Sequence, residues 1–224
     1  MKEQNVFEFL TQTLQQQGVA LIAVSKTHPV DSIEALYSQG QRRFAENRVQ
    51  EMLSKAEMLP ADVEWHLIGH LQTNKVKLIA PFVSVVQSVD SLKLLQEIDK
   101  QAAKHQRTIR CLLQFHIAQE ETKFGFSASE AIDMLTLHPP DTFPNIVFGG
   151  VMGMATFTDD AEQVRAEFRT LKSIFDQLRQ GFFGNNPDFC DLSMGMSGDW
   201  QLAVEEGSTM VRIGSLLFGQ RQQS

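Results

Sequence analysis

Lys26 is the residue whose chemistry the sequence indicates most directly. It follows a continuous apolar run over residues 19–25 (VALIAVS), which is typical of a strand covered on both faces. An amine at the end of such a strand is partly desolvated, which disfavours the ammonium form and leaves a nucleophile able to form a Schiff base with an aldehyde. The alternative is a strand-end lysine that runs its stem along the core and holds its charge in water.

Two later loops have the composition of an anion site. Residues 193–199 (SMGMSGD) include Met196 and Ser197, and the other loop contains Gly214 and Ser215. Small residues at a strand-to-helix turn let backbone N–H groups and a hydroxyl converge on a phosphate, helped by a helix N-terminus. The same residue types also serve simply as turn and cap residues. Neither loop matches a dinucleotide or P-loop pattern, so nucleotide sites of those kinds gain no support.

Arg212 and two further residues complete the candidate set. Arg212 lies inside an apolar strand (TMVRIG), so its permanent charge must meet a carboxylate, a carbonyl or a ligand acceptor. An ion pair with a buried acid remains one of these alternatives. Asn47 follows the second predicted strand, and His66 lies near the end of the third. His66 and His70 straddle a strand end and a turn, which favours a hydrogen-bonded strand histidine over a metal site.

The elements that must position these residues alternate between strand and helix. Helical spacing over residues 2–17 predicts a helix before the first strand. Eight strands, each followed by a helical segment, are typical of a single (β/α)8 TIM-type barrel with an extra N-terminal helix, spanning residues 1–224 as one domain. A doubly wound open sheet has the same periodicity. The predicted strands cover residues 19–25, 42–45, 63–68, 83–87, 108–117, 145–152, 189–193 and 209–213.

Local signals mark the ends of several predicted helices. Ser91, Ser127 or Ser129, and Asp159 are expected N-caps. Residues 181–188 (GFFGNNPD) are expected to form the loop that leads into the seventh strand. The charges at Glu120, Glu121 and Lys123 are expected to be a solvated run at the rim. Parallel strands place a ligand site at their carboxyl ends, which is where the candidate residues fall.

The composition excludes several classes of function. The 224 residues carry 20 Lys and Arg against 27 Asp and Glu, a net charge of −7, which argues against nucleic-acid and anionic-membrane partners. Cys111 and Cys190 lie far apart in apolar stretches, so we expect two buried thiols and no disulfide framework or zinc site. Without a secretory signal or a long apolar span, the sequence predicts a soluble cytoplasmic protein.

Five ordered motifs carry a resemblance to a known family. Together they resemble the pyridoxal phosphate homeostasis proteins, small relatives of the alanine racemase barrel, over nearly the whole chain. The motifs are residues 23–27 (AVSKT), 44–47 (FAEN), 64–69 (EWHLIG) with 71–75 (LQTNK), 192–197 (LSMGMS), and 210–215 (MVRIGS) with 218–219 (FG).

The resemblance implies a barrel that holds pyridoxal 5′-phosphate (PLP) at its mouth. By this resemblance Lys26 forms the internal Schiff base, and Arg212 faces the pyridine nitrogen. The resemblance assigns the phosphate to Ser197, Gly214 and Ser215. It places three further residues close to the cofactor, namely Asn47, His66 and Met196.

The residue chemistry favours a carrier over an enzyme. PLP enzymes that make carbanions usually protonate the pyridine nitrogen to strengthen the ring as an electron sink. An arginine leaves that nitrogen unprotonated, and racemases with this arrangement add a tyrosine as a second base, as the family resemblance suggests. The only tyrosine here, Tyr37, falls on the core-facing stripe of the helix after the first strand, remote from the strand ends.

We therefore expect no catalytic residues and no metal, but a monomeric protein that captures PLP on Lys26 and passes it to apo-enzymes, keeping free cofactor low. One alternative is a racemase-like PLP enzyme acting on a small amino acid, with Lys26 as the sole base and His66 as a helper. Another alternative is a cofactor-free barrel that binds a sugar phosphate through the same two glycine loops.

Overall fold

The fold is a closed parallel barrel. A computed structural model describes residues 3–119, 124–184 and 186–219, with side chains described from residue 6. Within these residues eight strands pair in chain order, and β8 returns to pair with β1. The open-sheet alternative is therefore excluded. The strands are β1 (Ala20–Val24), β2 (Arg43–Glu46), β3 (Glu64–Leu67), β4 (Val85–Val89), β5 (Ile109–Phe115), β6 (Ile146–Gly153), β7 (Asp191–Ser193) and β8 (Met210–Ile213).

Helices surround the barrel and follow the predicted order. The expected N-terminal helix precedes β1, and a short helix follows β8. A 3₁₀ turn at Thr73–Lys75 takes up the start of the helix predicted after β3. The helices are α1 (Glu3–Gln16), α2 (Val30–Tyr37), α3 (Val49–Ala56), α4 (Val76–Ile79), α5 (Leu92–Lys104), α6 (Ala128–Leu137), α7 (Ala161–Leu178), α8 (Trp200–Glu205) and α9 (Ser215–Phe218).

The predicted helix starts are confirmed at two sites and wrong by one residue at a third. The Ser91 side chain accepts from the backbone N–H of Leu94, and Ser127 forms a capping box with Glu130. Such caps satisfy backbone donors that the first helical turn leaves unpaired. At α7 the cap is Asp160 rather than Asp159, because the Asp160 carboxylate accepts from two N–H groups of the first turn.

Two other expectations are wrong. Residues 181–183 are not a loop, because α7 continues as a wider π turn over Arg179–Phe183. This turn buries the Phe183 ring, which stacks on Phe189 with ring centroids 3.9 Å apart. Cys190 is exposed rather than buried, because it precedes β7 instead of lying within it. The charged run at residues 120–123 lies outside the described part of the chain.

Most of the core lies between the barrel and its helices. On β1, Leu21 and Ala23 join this outer core, whereas Ile22 and Val24 belong to a small separate apolar cluster. Alternation along a barrel strand directs successive side chains outward and inward, so Ile22 and Val24 face the barrel interior. A second small apolar cluster contains Met152 of β6. Among the described residues, no helix is both long and apolar enough to cross a membrane.

Candidate cofactor site

A cavity of about 600 Å³ opens where the strands end. This volume is ample for a small cofactor. Its walls come from the segments that follow β1, β2, β3, β6, β7 and β8. Seven of the eight residues expected to bind a cofactor line it, namely Lys26, Asn47, Met196, Ser197, Arg212, Gly214 and Ser215.

Lys26 is half-buried and lies beside the loop that follows β8. Strand β1 pairs with β8 so that Ala23 is opposite Ile213, which brings both strand ends to the same part of the rim. At Gly214 a Cβ atom would lie only 3.2 Å from the Val24 carbonyl oxygen. The absence of a side chain at Gly214 therefore lets the two segments approach closely.

The two loops expected to bind an anion are joined by a hydrogen bond. The backbone N–H of Gly214 donates to Ser197 Oγ over 3.2 Å. The Met196 N–H donates to Asp199 Oδ1 over 2.5 Å, which closes the loop after β7 on itself. Burial raises the pKa of the Asp199 carboxyl, and this residue also lines the cavity. Because α9 has only four residues, the predicted help from a helix N-terminus is small.

Arg212 presents a buried guanidinium to the cavity. Its Nη1 donates to Ser193 Oγ over 2.6 Å, and its Nη2 donates to the Gly153 carbonyl oxygen over 2.9 Å. Of the three kinds of partner that the sequence left open, the structure shows the carbonyl. Within the described chain no carboxylate contacts Arg212, so the alternative of a direct ion pair is wrong, although the charge of Asp199 acts on the guanidinium at longer range. Desolvation lowers the pKa of Arg212 to about 10, which leaves the group charged at neutral pH.

His66 is buried below the cavity and does not line it. Gln87 Nε2 donates to His66 Nδ1 over 2.8 Å, and Gln87 Oε1 accepts from Ser193 Oγ over 2.7 Å. His66 is therefore a hydrogen-bonded strand histidine, as expected, and it connects to Arg212 through Gln87 and Ser193. Desolvation lowers the pKa of His66 to about 3, so the ring is neutral with its proton on Nε2.

We expect His66 to make stability depend on pH. Its pKa falls from 6.5 to about 3 on folding, so between these values the unfolded chain binds more protons and folding stability is lost as pH falls. From about pH 7 to about pH 5 this group should cost about 2 kcal/mol of unfolding free energy. Urea unfolding at both pH values measures this change in unfolding free energy. In His66→Asn, which keeps an acceptor for Gln87, the part of the stability loss that comes from His66 should disappear. An unchanged stability loss in this variant would contradict the lowered pKa of His66.

The residues at the mouth fit PLP. Asn47 Oδ1 is buried and has no hydrogen-bond partner among the described residues, which leaves it as an acceptor for a donor of a ligand or a water molecule. Gly69 packs so tightly on the Asn47 backbone that a Cβ atom there would overlap the Asn47 carbonyl oxygen, which fixes Asn47 in place. A primary amine, an amide, a guanidinium and two hydroxyl-bearing loops match the aldehyde, polar ring atoms and phosphate of that cofactor.

Sequence reasoning missed one wall of the cavity. Residues 154–159, which follow β6, line it, and so does His28. These positions follow strand ends as Lys26 does, so the rule that found the other loops would have found them too. Tyr37 ends α2 and does not line the cavity; its hydroxyl donates to Asp62 Oδ1 over 2.7 Å. In the described ranges no group of three or more His, Cys, Asp or Glu side chains could hold a metal ion.

Comparison with known proteins identifies the family. Residues 3–222 match the family described as "Alanine racemase, N-terminal domain". The pyridoxal phosphate homeostasis protein of Aquifex aeolicus is 40% identical, over 90% of this chain and 87% of its own length. The human pyridoxal phosphate homeostasis protein is also 40% identical, over 91% of this chain and 77% of its own length. The chain belongs to the pyridoxal phosphate homeostasis protein family.

Solved structures agree with this membership. PipY of Synechococcus elongatus PCC7942, in a structure with PLP bound, is 34% identical, with a TM-score of 0.84 over 96% of this chain and all of PipY. Alanine racemase of Clostridium difficile 630 is 14% identical, with a TM-score of 0.68 over 98% of this chain and 58% of the racemase. The racemase shows the shared barrel fold alone, whereas PipY matches this chain along its full length.

Proposed function

We propose that this homeostasis-family protein binds PLP through the amine of Lys26 and serves intracellular PLP carriage without efficient catalysis. The observation that carries the proposal is the placement of Lys26 beside Gly214, in one cavity with a buried cation at Arg212. PipY, its relative of full-length similarity, was solved with PLP bound. When bound, PLP supplies an aldehyde that forms a Schiff base with a lysine amine and a ring that withdraws electrons.

Each residue of the cavity has a distinct role in this proposal. The Lys26 amine captures the aldehyde, and its half-buried position limits the access of water. Ser197, Gly214 and Ser215 hold the phosphate through a hydroxyl and backbone donors. Asn47 Oδ1 would accept a hydrogen bond from the ligand, and Met196 would lie close to it. His66 acts from below, because its bond to Gln87 helps to orient Ser193 and through it Arg212.

Arg212 is the reason to expect weak catalysis. The guanidinium is charged at neutral pH and donates hydrogen bonds, so it leaves a pyridine nitrogen unprotonated and keeps the ring a weak electron sink. Tyr37 lies away from the cavity and cannot act as a second base there. The proposal extends to a monomeric cytoplasmic protein that hands PLP to apo-enzymes.

Borohydride reduction of PLP-loaded protein, followed by peptide mass analysis, tests the proposal. The reduced adduct should lie on Lys26, and alanine racemization should stay below about 1 per second, the lower end of ordinary enzyme turnover. A chain that takes up no PLP would refute the carrier and favour a sugar-phosphate barrel. Racemization at ordinary enzyme rates would support the enzyme alternative instead.

A further inference from the structure

We infer that Lys55, together with Glu46 and Glu51, positions Lys26 for capture of the cofactor aldehyde. The inference rests on the proposed function, and it concerns residues that do not line the cavity. Lys55 lies on α3, on the outer side of the barrel, and its side chain is only 6% exposed. A buried lysine is rare unless it is paired, so its partners indicate what it does.

Lys55 uses all three of its N–H donors on a single small region. Its Nζ donates to Glu46 Oε1 and to Glu51 Oε1, each over 2.7 Å, and to the Ser25 carbonyl oxygen over 2.8 Å. The Ser25 carbonyl belongs to the peptide bond that leads into Lys26. The Lys55 ammonium therefore binds the backbone carbonyl group immediately before Lys26.

The Glu46 and Glu51 carboxylates also bind the residues on either side of Lys26. Glu46 is fully buried, and its Oε1 accepts from Ser25 Oγ over 2.6 Å. Glu51 Oε1 accepts from the backbone N–H of Thr27 over 2.5 Å. Both residues that flank Lys26 are thus held by one charged cluster, while Lys26 itself faces the cavity.

One residue held by this cluster, Thr27, has an unusual backbone conformation. Its φ of 67° lies in the left-handed region. This conformation is unfavourable in free energy for a residue with a branched side chain. Burying the Lys55, Glu46 and Glu51 charges costs further desolvation free energy, and an apolar cluster of similar volume would pack as well. A charged cluster can do what an apolar one cannot, namely bond to the peptide groups on both sides of Lys26.

The test compares PLP with pyridoxine 5′-phosphate, which carries an alcohol in place of the aldehyde and needs no lysine. In Lys55→Met, covalent capture of PLP, followed by its visible absorbance, should slow by on the order of 100-fold, the penalty for a misplaced reacting group. Binding of pyridoxine 5′-phosphate, measured by calorimetry, should change less than about threefold. Lys55→Arg, which retains a cationic donor, should recover part of the capture rate.

Glu51→Ala provides an independent variant, since Glu51 is partly exposed and its loss leaves the Lys55–Glu46 pair intact while removing the acceptor for the Thr27 N–H; it should slow capture selectively in the same way. It carries the test if Lys55→Met does not fold. Glu57→Ala, at an exposed acid at the end of the same helix, is the matched control and should match the wild type. Equal losses for both ligands, or no loss for either, would overturn the inference. A wild-type protein that captures no PLP would refute the proposed function instead.

Discussion

Lys26→Ala is expected to abolish the visible absorbance of the PLP-loaded protein and to weaken PLP binding by on the order of 100-fold or more, about 2.7 kcal/mol. The reason is that in the proposed function the Lys26 amine supplies the covalent bond, whereas the loops after β7 and β8 supply only non-covalent contacts to the phosphate. Those loops are held by the Gly214–Ser197 hydrogen bond and by the Asp199 carboxylate, neither of which involves Lys26. Binding of pyridoxine 5′-phosphate should therefore survive the substitution.

Titration by absorbance and calorimetry measures both ligands. Lys104→Ala is the matched control, because Lys104 is an exposed lysine at the end of α5, and it should bind PLP as the wild type does. If Lys26→Ala retained wild-type PLP affinity, the amine would not be the capturing group. If it lost pyridoxine 5′-phosphate binding as well, the lysine would be holding the cavity together rather than reacting.

The barrel was predictable because its signals are local. Most of the strands are short apolar segments with a helix after them, and the carboxyl ends of parallel strands must share one rim. That rule placed Lys26, Ser197 and Gly214 in one site although they are far apart in sequence. Periodicity alone did not separate a barrel from an open sheet, because closure depends on the pairing of β1 with β8, a contact between the two ends of the chain.

The hydrogen bonds that support the site from below could not be predicted from the sequence. Gln87 and Ser193 look like ordinary strand residues, and only the closed barrel brings them between His66 and Arg212. Lys55 is a charged helical residue, a type that is rarely buried, and its burial beside Val49 and Met52 follows from how α3 packs on the barrel. Long-range hydrogen bonds of this kind cannot be recognised from the periodicity of the sequence.

A β-bulge in strand β6 affects which residues and carbonyl groups face the site. Cys111 of β5 pairs with Phe148, but the next residue, Leu112, pairs with Gly150, so Gly149 is the extra residue of a β-bulge. A bulge changes which face the following residues present. Downstream of it, Met152 faces the barrel interior and the Gly153 carbonyl accepts from Arg212.

Gly150→Ala should consequently damage both the fold and the site. Its φ is +149°, and a Cβ atom there would overlap the Asp191 carbonyl oxygen of β7, a backbone atom that cannot move aside cheaply. We expect a loss of on the order of 4 kcal/mol in unfolding free energy, measured by urea denaturation, and weaker PLP binding because the Gly153 carbonyl shifts away from Arg212. Gly181→Ala, where a Cβ atom would meet nothing within 4 Å, should stay within about 0.5 kcal/mol of the wild type. Equal stability of the two variants would mean that β6 and β7 can separate without cost, and the bulge would then not be what holds the Arg212 acceptor in place.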